Sequence, residues 1–172
     1  LQTGQLLPLP GKTEMLTLAI AYGYKNNIII KKTFSDGIEF LRGETLEATD
    51  LNKIVLSYSS DIATDYENEL APFEKLHILT QSPGLHWTAH HLVNGHRSEE
   101  DCIAGFNLVV LDVDGGVNMS TVKLLMKNYK YLMYTTKRHT EEEHRFRLIL
   151  PINYKLFMDA KDYKEFMSNI YE

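Results

Sequence analysis

An apolar run from Phe106 to Val113, ended by Gly115-Gly116, constrains this chain more than any other feature. A run of that length and character fits a strand buried on both faces. Ser120 can then cap a helix covering roughly residues 121–128. Tyr131 to Thr136 reads as a second strand, and Arg145 to Leu150 as a third, ended by Pro151. Asp159 to Tyr171 has helical spacing through Tyr163, Phe166, Met167 and Ile170. The order β-α-β-β-α is that of a ferredoxin-like (RRM-like) unit without its last strand, so the expected class is α/β, in the α+β sense.

The crossover rule makes the first two strands parallel. The third runs back between them in this topology. The end of the first strand, the end of the second and the start of the third then meet at one edge of the sheet. Asp112 and Asp114 are at that edge, and the loop between the second and third strands brings Lys137, Arg138, His139, His144, Arg145 and Arg147 toward them.

The chain upstream is less sharply patterned. Residues 1–11 read as an arm or linker, and residues 13–22 as a short helix. Gly11-Lys12-Thr13 fails as a P-loop, because Gly4 is too far upstream for the motif's four-residue gap. Ile28 to Phe34 and Ile38 to Leu41 flank Ser35-Asp36-Gly37, the pattern of a hairpin. Lys53 to Tyr58 is strand-like, a helix is expected near residues 62–71, and Ser82-Pro83-Gly84 marks a turn. We therefore expect a flanking α/β module over residues 1–105 and an RRM-like catalytic module over residues 106–172. The chain begins at Leu1 and ends on Tyr171-Glu172 within a helical pattern, so a piece of a longer polypeptide is expected.

Charge bears on the partner. The net charge of −5 argues at first against nucleic acid, but the distribution is uneven. Residues 1–117 hold 8 Lys+Arg against 16 Asp+Glu, whereas residues 118–155 hold 8 against 3. The basic stretch starts directly after the Asp112/Asp114 pair. No apolar run approaches the roughly 20 residues of a membrane span, and no signal-peptide pattern is present. One cysteine, Cys102, excludes an internal disulfide framework and fits a reducing, cytoplasmic setting.

Period-two alternation puts Asp112 and Asp114 on one face of their strand, as a shared metal site requires. Magnesium or manganese is commonly held by one or two carboxylates together with substrate phosphates, and two such ions can activate a hydroxyl and stabilise pyrophosphate. Lys137, Arg138, Arg145 and Arg147 supply positive donors for a triphosphate. Gly115 and Gly116 would let a nucleotide backbone approach closely. The ordinary reading of the same residues is a turn entry, an exposed hairpin tip paired with Glu141, Glu142 and Glu143, and salt bridges on a sheet face.

FNLVVLDVDGG, YLMYTTKRHT and HRFRLILP, in that order, resemble the polymerase core of the archaeo-eukaryotic primase superfamily, especially the primases of phages and mobile elements. The resemblance covers about residues 106–151. It implies a primase-polymerase-like core in which Asp112 and Asp114 are metal ligands for Mg²⁺ or Mn²⁺. His139 would contact the incoming nucleotide's phosphates, supported by Lys137, Arg138, Arg145 and Arg147. It further implies a DNA primase or primase-polymerase transferring nucleotides from NTPs or dNTPs onto a single-stranded DNA template, with room for a helicase domain in a full-length chain. Two positions depart from the pattern. Lys137 stands where Ser or Thr is usual, and the candidates for a third acidic motif (Asp159, Asp162, Glu165, Glu172) all fall in a helical pattern. The third carboxylate is therefore expected outside this stretch, which would leave the fragment inactive alone.

Two other function classes stay open on the sequence. A phosphatase resembling the haloacid dehalogenase superfamily would use Asp112 as nucleophile and Asp114 as acid/base, although Gly116 stands where that motif has Thr or Val. A non-enzymatic RRM-like module would stack bases on strand aromatics, of which Phe106 and Phe146 are the available pair. His86, His90, His91, His96 and Cys102 crowd one stretch, and His86 with His90 has the spacing of two zinc ligands on a helix. The rest fits no zinc signature. A partly buried helix around Trp87, lining a template groove, is the alternative.

Overall fold

The computed structural model describes residues 29–32, 38–42 and 47–171, a mixed α+β fold with several antiparallel sheets. The expected arm, the 13–22 helix, the Ser35-Asp36-Gly37 turn and Glu172 lie outside the described residues. Strands β1 (Ile29–Lys32) and β2 (Ile38–Arg42) pair antiparallel, as a hairpin requires. A two-residue strand, β3 (Glu47–Ala48), leads to β4 (Ile54–Ser59), which is the centre of a sheet with β5 (Glu67–Ala71) and β6 (His86–Thr88) on its two sides. Between the last two lies α1 (Leu76–Gln81). Short strands β7 (His91–Leu92) and β8 (Cys102–Ile103) pair with each other.

The second half follows the β-α-β-β-α order. β9 (Phe106–Asp114), α2 (Met119–Leu125), β10 (Leu132–Thr135), β11 (Arg145–Leu156) and α3 (Ala160–Tyr171) appear in turn. β11 pairs antiparallel with β10 on one side and β9 on the other, which makes those two outer strands parallel. Pro151 does not end β11. It sits opposite Leu108 where the β9 ladder loses register, and the strand then continues to pair with β3 through Tyr154 and Lys155. A proline has no N–H to give a ladder, so a register break is where a strand tolerates it.

Side chains alternate across this sheet and build two cores. Val109, Phe146, Leu148, Leu150 and Ile152 face α2 and α3, packing with Val122, Met158 and Phe166. Leu108 and Ile149 face the other way, onto Ile54, Leu56, Phe73, Leu76 and Ala89. Packing is therefore continuous across residue 105. Buried Asn107 joins the two sheets: its Oδ1 accepts from the Val55 amide at 2.9 Å and its Nδ2 donates to the Lys53 carbonyl at 3.0 Å. Buried Lys130 pairs with Glu74 and lies 5.8 Å from the centre of the Phe73 ring.

Three local readings differ from the sequence expectation. Residues 62–71 are a turn and a strand, not a helix. The Asp61 carboxylate accepts from the Ala63 and Thr64 amides at 2.8 and 3.0 Å, and β5 then pairs along β4. Such side-chain capture of backbone amides competes with helix formation. Around Trp87 the chain is also strand, with Trp87 directly opposite Tyr58. This removes the helical i,i+4 geometry proposed for His86 and His90. The cap of α2 is Asn118 rather than Ser120, its side chain accepting from the Ser120 amide at 2.8 Å. Among the described residues no helix is long and apolar enough to cross a membrane.

Candidate functional site

The sheet face that carries Leu108 and Ile149 is covered only over part of its length. The row Val110–Ile149–Leu132 packs under the residue 54–89 layer. One period further along the same strands, Asp112 lies opposite Arg147, and Arg147 opposite Tyr134. Beyond that, Asp114 lies opposite Arg145. Cross-strand partners share a face, so the two aspartates and two arginines form one charged ladder.

The pairs are made. Arg147 Nε donates to Asp112 Oδ1 at 2.5 Å and its Nη2 reaches Oδ2 at 3.4 Å, a two-pronged clamp. Arg145 Nη1 is 3.4 Å from Asp114 Oδ1, and its Nη2 is 3.0 Å from Glu143 Oε1. The hydrogen bond from Arg147 to Asp112 holds the guanidinium above its ordinary pKa, burial works against that, and a contact with the Tyr134 hydroxyl adds to it. Arg147 Nη1 is 3.4 Å from that hydroxyl, which also accepts from the Trp87 indole at 3.3 Å. A chain of contacts thus runs Trp87, Tyr134, Arg147, Asp112. The salt bridges of the ordinary reading are present, and among the described residues Glu143 is the hairpin glutamate that takes part.

The β10–β11 hairpin closes the ladder's open end. The Thr136 amide bonds the Arg145 carbonyl at 3.0 Å, and the Gly115 amide bonds the His144 carbonyl at 3.0 Å. His139 is partly buried, its Nδ1 accepting from the Arg145 amide at 3.2 Å. A backbone N–H can only donate, so Nδ1 is the acceptor and Nε2 carries the proton of the neutral ring. His144 stands 5.2 Å from it, ring to ring, and accepts from the Met119 amide at 3.0 Å, tying the hairpin to α2. Lys137 and Arg138 are exposed at the hairpin turn. Asp112, Asp114, His139, Arg145 and Arg147 are therefore brought together at one rim, with Lys137 and Arg138 at its outer margin.

Gly115 and Gly116 have φ of +91° and +78°, a conformation that L side chains rarely adopt. The space beside Gly115 is taken by the Glu143 side chain, whereas Gly116 has open space beside it, so the room expected for a close approach remains at Gly116 alone of the two. A cavity of about 300 Å³ lies beside the turn, lined by residues 116–118 and 141–144. Three of those residues are glutamates, which would repel a phosphate chain.

The histidine-rich stretch is dispersed. His90 packs edge-on against Phe106 and Tyr163, and burial lowers its pKa. His96 bonds Asp101 at 2.6 Å, and His91 bonds the Glu69 carbonyl at 2.9 Å. Among the described residues no group of three or more His, Cys, Asp or Glu converges as metal ligands would.

Residues 87–170 match the family model of the VapE N-terminal domain. That family is associated with replication in phages and mobile elements, so the matched stretch is similar to part of such replication-related proteins. No curated protein and no solved structure matches the chain. The VapE-like stretch begins at Trp87 and takes in the whole ladder and hairpin. It also holds Tyr134, which the sequence reading missed, together with Glu143 and Trp87, which that reading placed at the hairpin tip and in a template groove. Tyr134 and Glu143 touch the arginines directly, and Trp87 touches Tyr134. Their signal lay in the strand register, which a single sequence leaves open: Tyr134 becomes a neighbour of Arg147 only when the β10–β11 pairing is known.

Proposed function

We propose that the VapE-like stretch forms part of a primase-polymerase-type nucleotidyltransferase site, which extends primers on single-stranded DNA from nucleoside triphosphates in the replication of a phage or mobile element. The observation that carries this reading is the in-register ladder of Asp112, Asp114, Arg145 and Arg147 with His139 at its end. Carboxylates for a cation and guanidinium groups for phosphates have to alternate within one ligand's reach, and here they sit on adjacent strands.

The donor set fits Mg²⁺ or Mn²⁺. Asp112 and Asp114 offer hard oxygen ligands on one face, and such ions are commonly held by two carboxylates with phosphates and water completing the shell. A bound ion would activate the attacking hydroxyl and neutralise developing negative charge. The chain's own residues do the rest. Arg145 and Arg147 present forked donors suited to phosphate oxygens. His139, with Nδ1 engaged by the Arg145 amide, donates from Nε2. Lys137 and Arg138 extend the positive field outward along the hairpin, where a template strand or the terminal phosphate would approach.

The test is template-dependent incorporation of a labelled nucleotide, in Mn²⁺, by the full-length protein that carries this chain. We expect incorporation that falls by roughly two orders of magnitude in Asp112→Asn plus Asp114→Asn, the scale of losing several kcal/mol of charge stabilisation. No incorporation, or incorporation indifferent to that double substitution, overturns the reading.

A further inference from the structure

We infer that Asp112 and Asp114 also act as a mask over a polyphosphate site: each carboxylate occupies the guanidinium that a phosphate group would otherwise take. The inference rests on the proposed nucleotidyltransferase reading for the identity of the ligand, but not for the mask itself. Arg147 gives its Nε and Nη2 donors to Asp112 and Nη1 to Tyr134, and Arg145 divides its donors between Asp114 and Glu143. A triphosphate arriving alone meets arginines already neutralised, together with carboxylates that repel it. Anything that draws the carboxylates away, a divalent cation above all, exposes two forked donors side by side on one sheet face. Cation and polyphosphate then bind as a couple, and either one alone binds weakly.

Pinning favours this over a loose surface network. The Arg147 guanidinium is held in place by the Tyr134 hydroxyl as well as by Asp112. Tyr134 is in turn fixed by Trp87. When Asp112 lets go, Arg147 keeps its position, and little ordering remains to be done when phosphate arrives. Glu143 gives the Arg145 half a second, independent cover from the hairpin.

The experiment measures binding of inorganic triphosphate by calorimetry in excess EDTA at low ionic strength, so that no cation takes part. Asp112→Asn should tighten binding at least about threefold, and Asp112→Asn plus Asp114→Asn about tenfold, the range expected from freeing two partly exposed ion pairs. Adding Arg145→Gln and Arg147→Gln to the double variant should abolish the gain. Glu67→Gln plus Glu69→Gln, on exposed β5 in the other sheet, changes net charge equally and should leave binding at the wild-type level. Thermal unfolding confirms that each variant is folded, and Asp114→Asn alone, whose partner keeps Glu143, gives a milder second test. Triphosphate binding that does not tighten in folded aspartate variants overturns the mask, as does tightening that survives loss of both arginines or appears equally in the β5 control. Tightened binding in a protein without polymerase activity would keep the mask and discard nucleotidyl transfer. Polymerase activity without tightening would do the reverse.

Discussion

Two neighbouring rows of the β9–β11–β10 sheet differ in almost everything except backbone geometry. Val110, Ile149 and Leu132 lie side by side beneath the residue 54–89 layer, with Ile149 wholly buried. Asp112, Arg147 and Tyr134 lie side by side one period later, where Tyr134 still packs against that layer through Trp87 while Asp112 opens to solvent. The covered row holds the two halves of the fold together. The open row contributes little to stability, because the Asp112 and Asp114 side chains are 56% and 75% exposed and exposed ion pairs are worth about 0–1 kcal/mol. A sheet can thus carry charge chemistry on strands whose other residues are core, provided the covering layer stops in time.

The sharpest way to break this comparison is to cut each row separately. Ile149→Ala should destabilise the protein by about 3 kcal/mol, within the usual range for emptying a buried aliphatic site. Asp112→Asn plus Asp114→Asn should change stability by no more than about 1 kcal/mol. Denaturant unfolding reads both, and equal losses would mean that the ladder is structural. A smaller effect concerns the seam between the halves. Asn107→Ala leaves the Val55 amide and Lys53 carbonyl without their buried partner, and should cost about 2 kcal/mol with the ladder's triphosphate binding unchanged.

The smallest expected effect is a pH dependence confined to the covered end. His90 packs edge-on against the Phe106 and Tyr163 rings, which also touch each other, and burial lowers its pKa below the ordinary value of 6.5. Between that folded value and 6.5 the unfolded chain binds the extra proton, so stability rises with pH through this window. It is fully present above 6.5 and lost progressively as pH falls toward the folded pKa. In His90→Phe, thermal midpoints measured from pH 7 to pH 5 should lose that part of the slope; an unchanged slope would assign it elsewhere.

Much of the second half was legible because its elements are strongly periodic and the first strand is closed by Gly115-Gly116. The strands from Phe106 onward, the two helices and the antiparallel middle strand follow from apolar spacing and the crossover rule. The charged rim was legible in the same way, because alternation fixes which side of β9 the aspartates take. What stayed hidden depends on contacts distant in sequence. Residues 62–71 look helical until Asp61 captures two amides and β4 offers a ladder. Trp87 looks helical until it meets Tyr58. Above all, salt bridges on the sheet face stood in the sequence only as the ordinary alternative, with no sign of which acid meets which base. That pairing is a matter of register, Arg147 against Asp112 rather than against solvent.

The most direct measurement is anomalous scattering from crystals soaked with Mn²⁺ and a non-hydrolysable nucleoside triphosphate. We expect a manganese peak shared by Asp112 and Asp114, both released from their arginines, with the triphosphate on Arg145, Arg147 and His139. A nucleotide bound elsewhere while Arg147 still grips Asp112 would contradict the assignment.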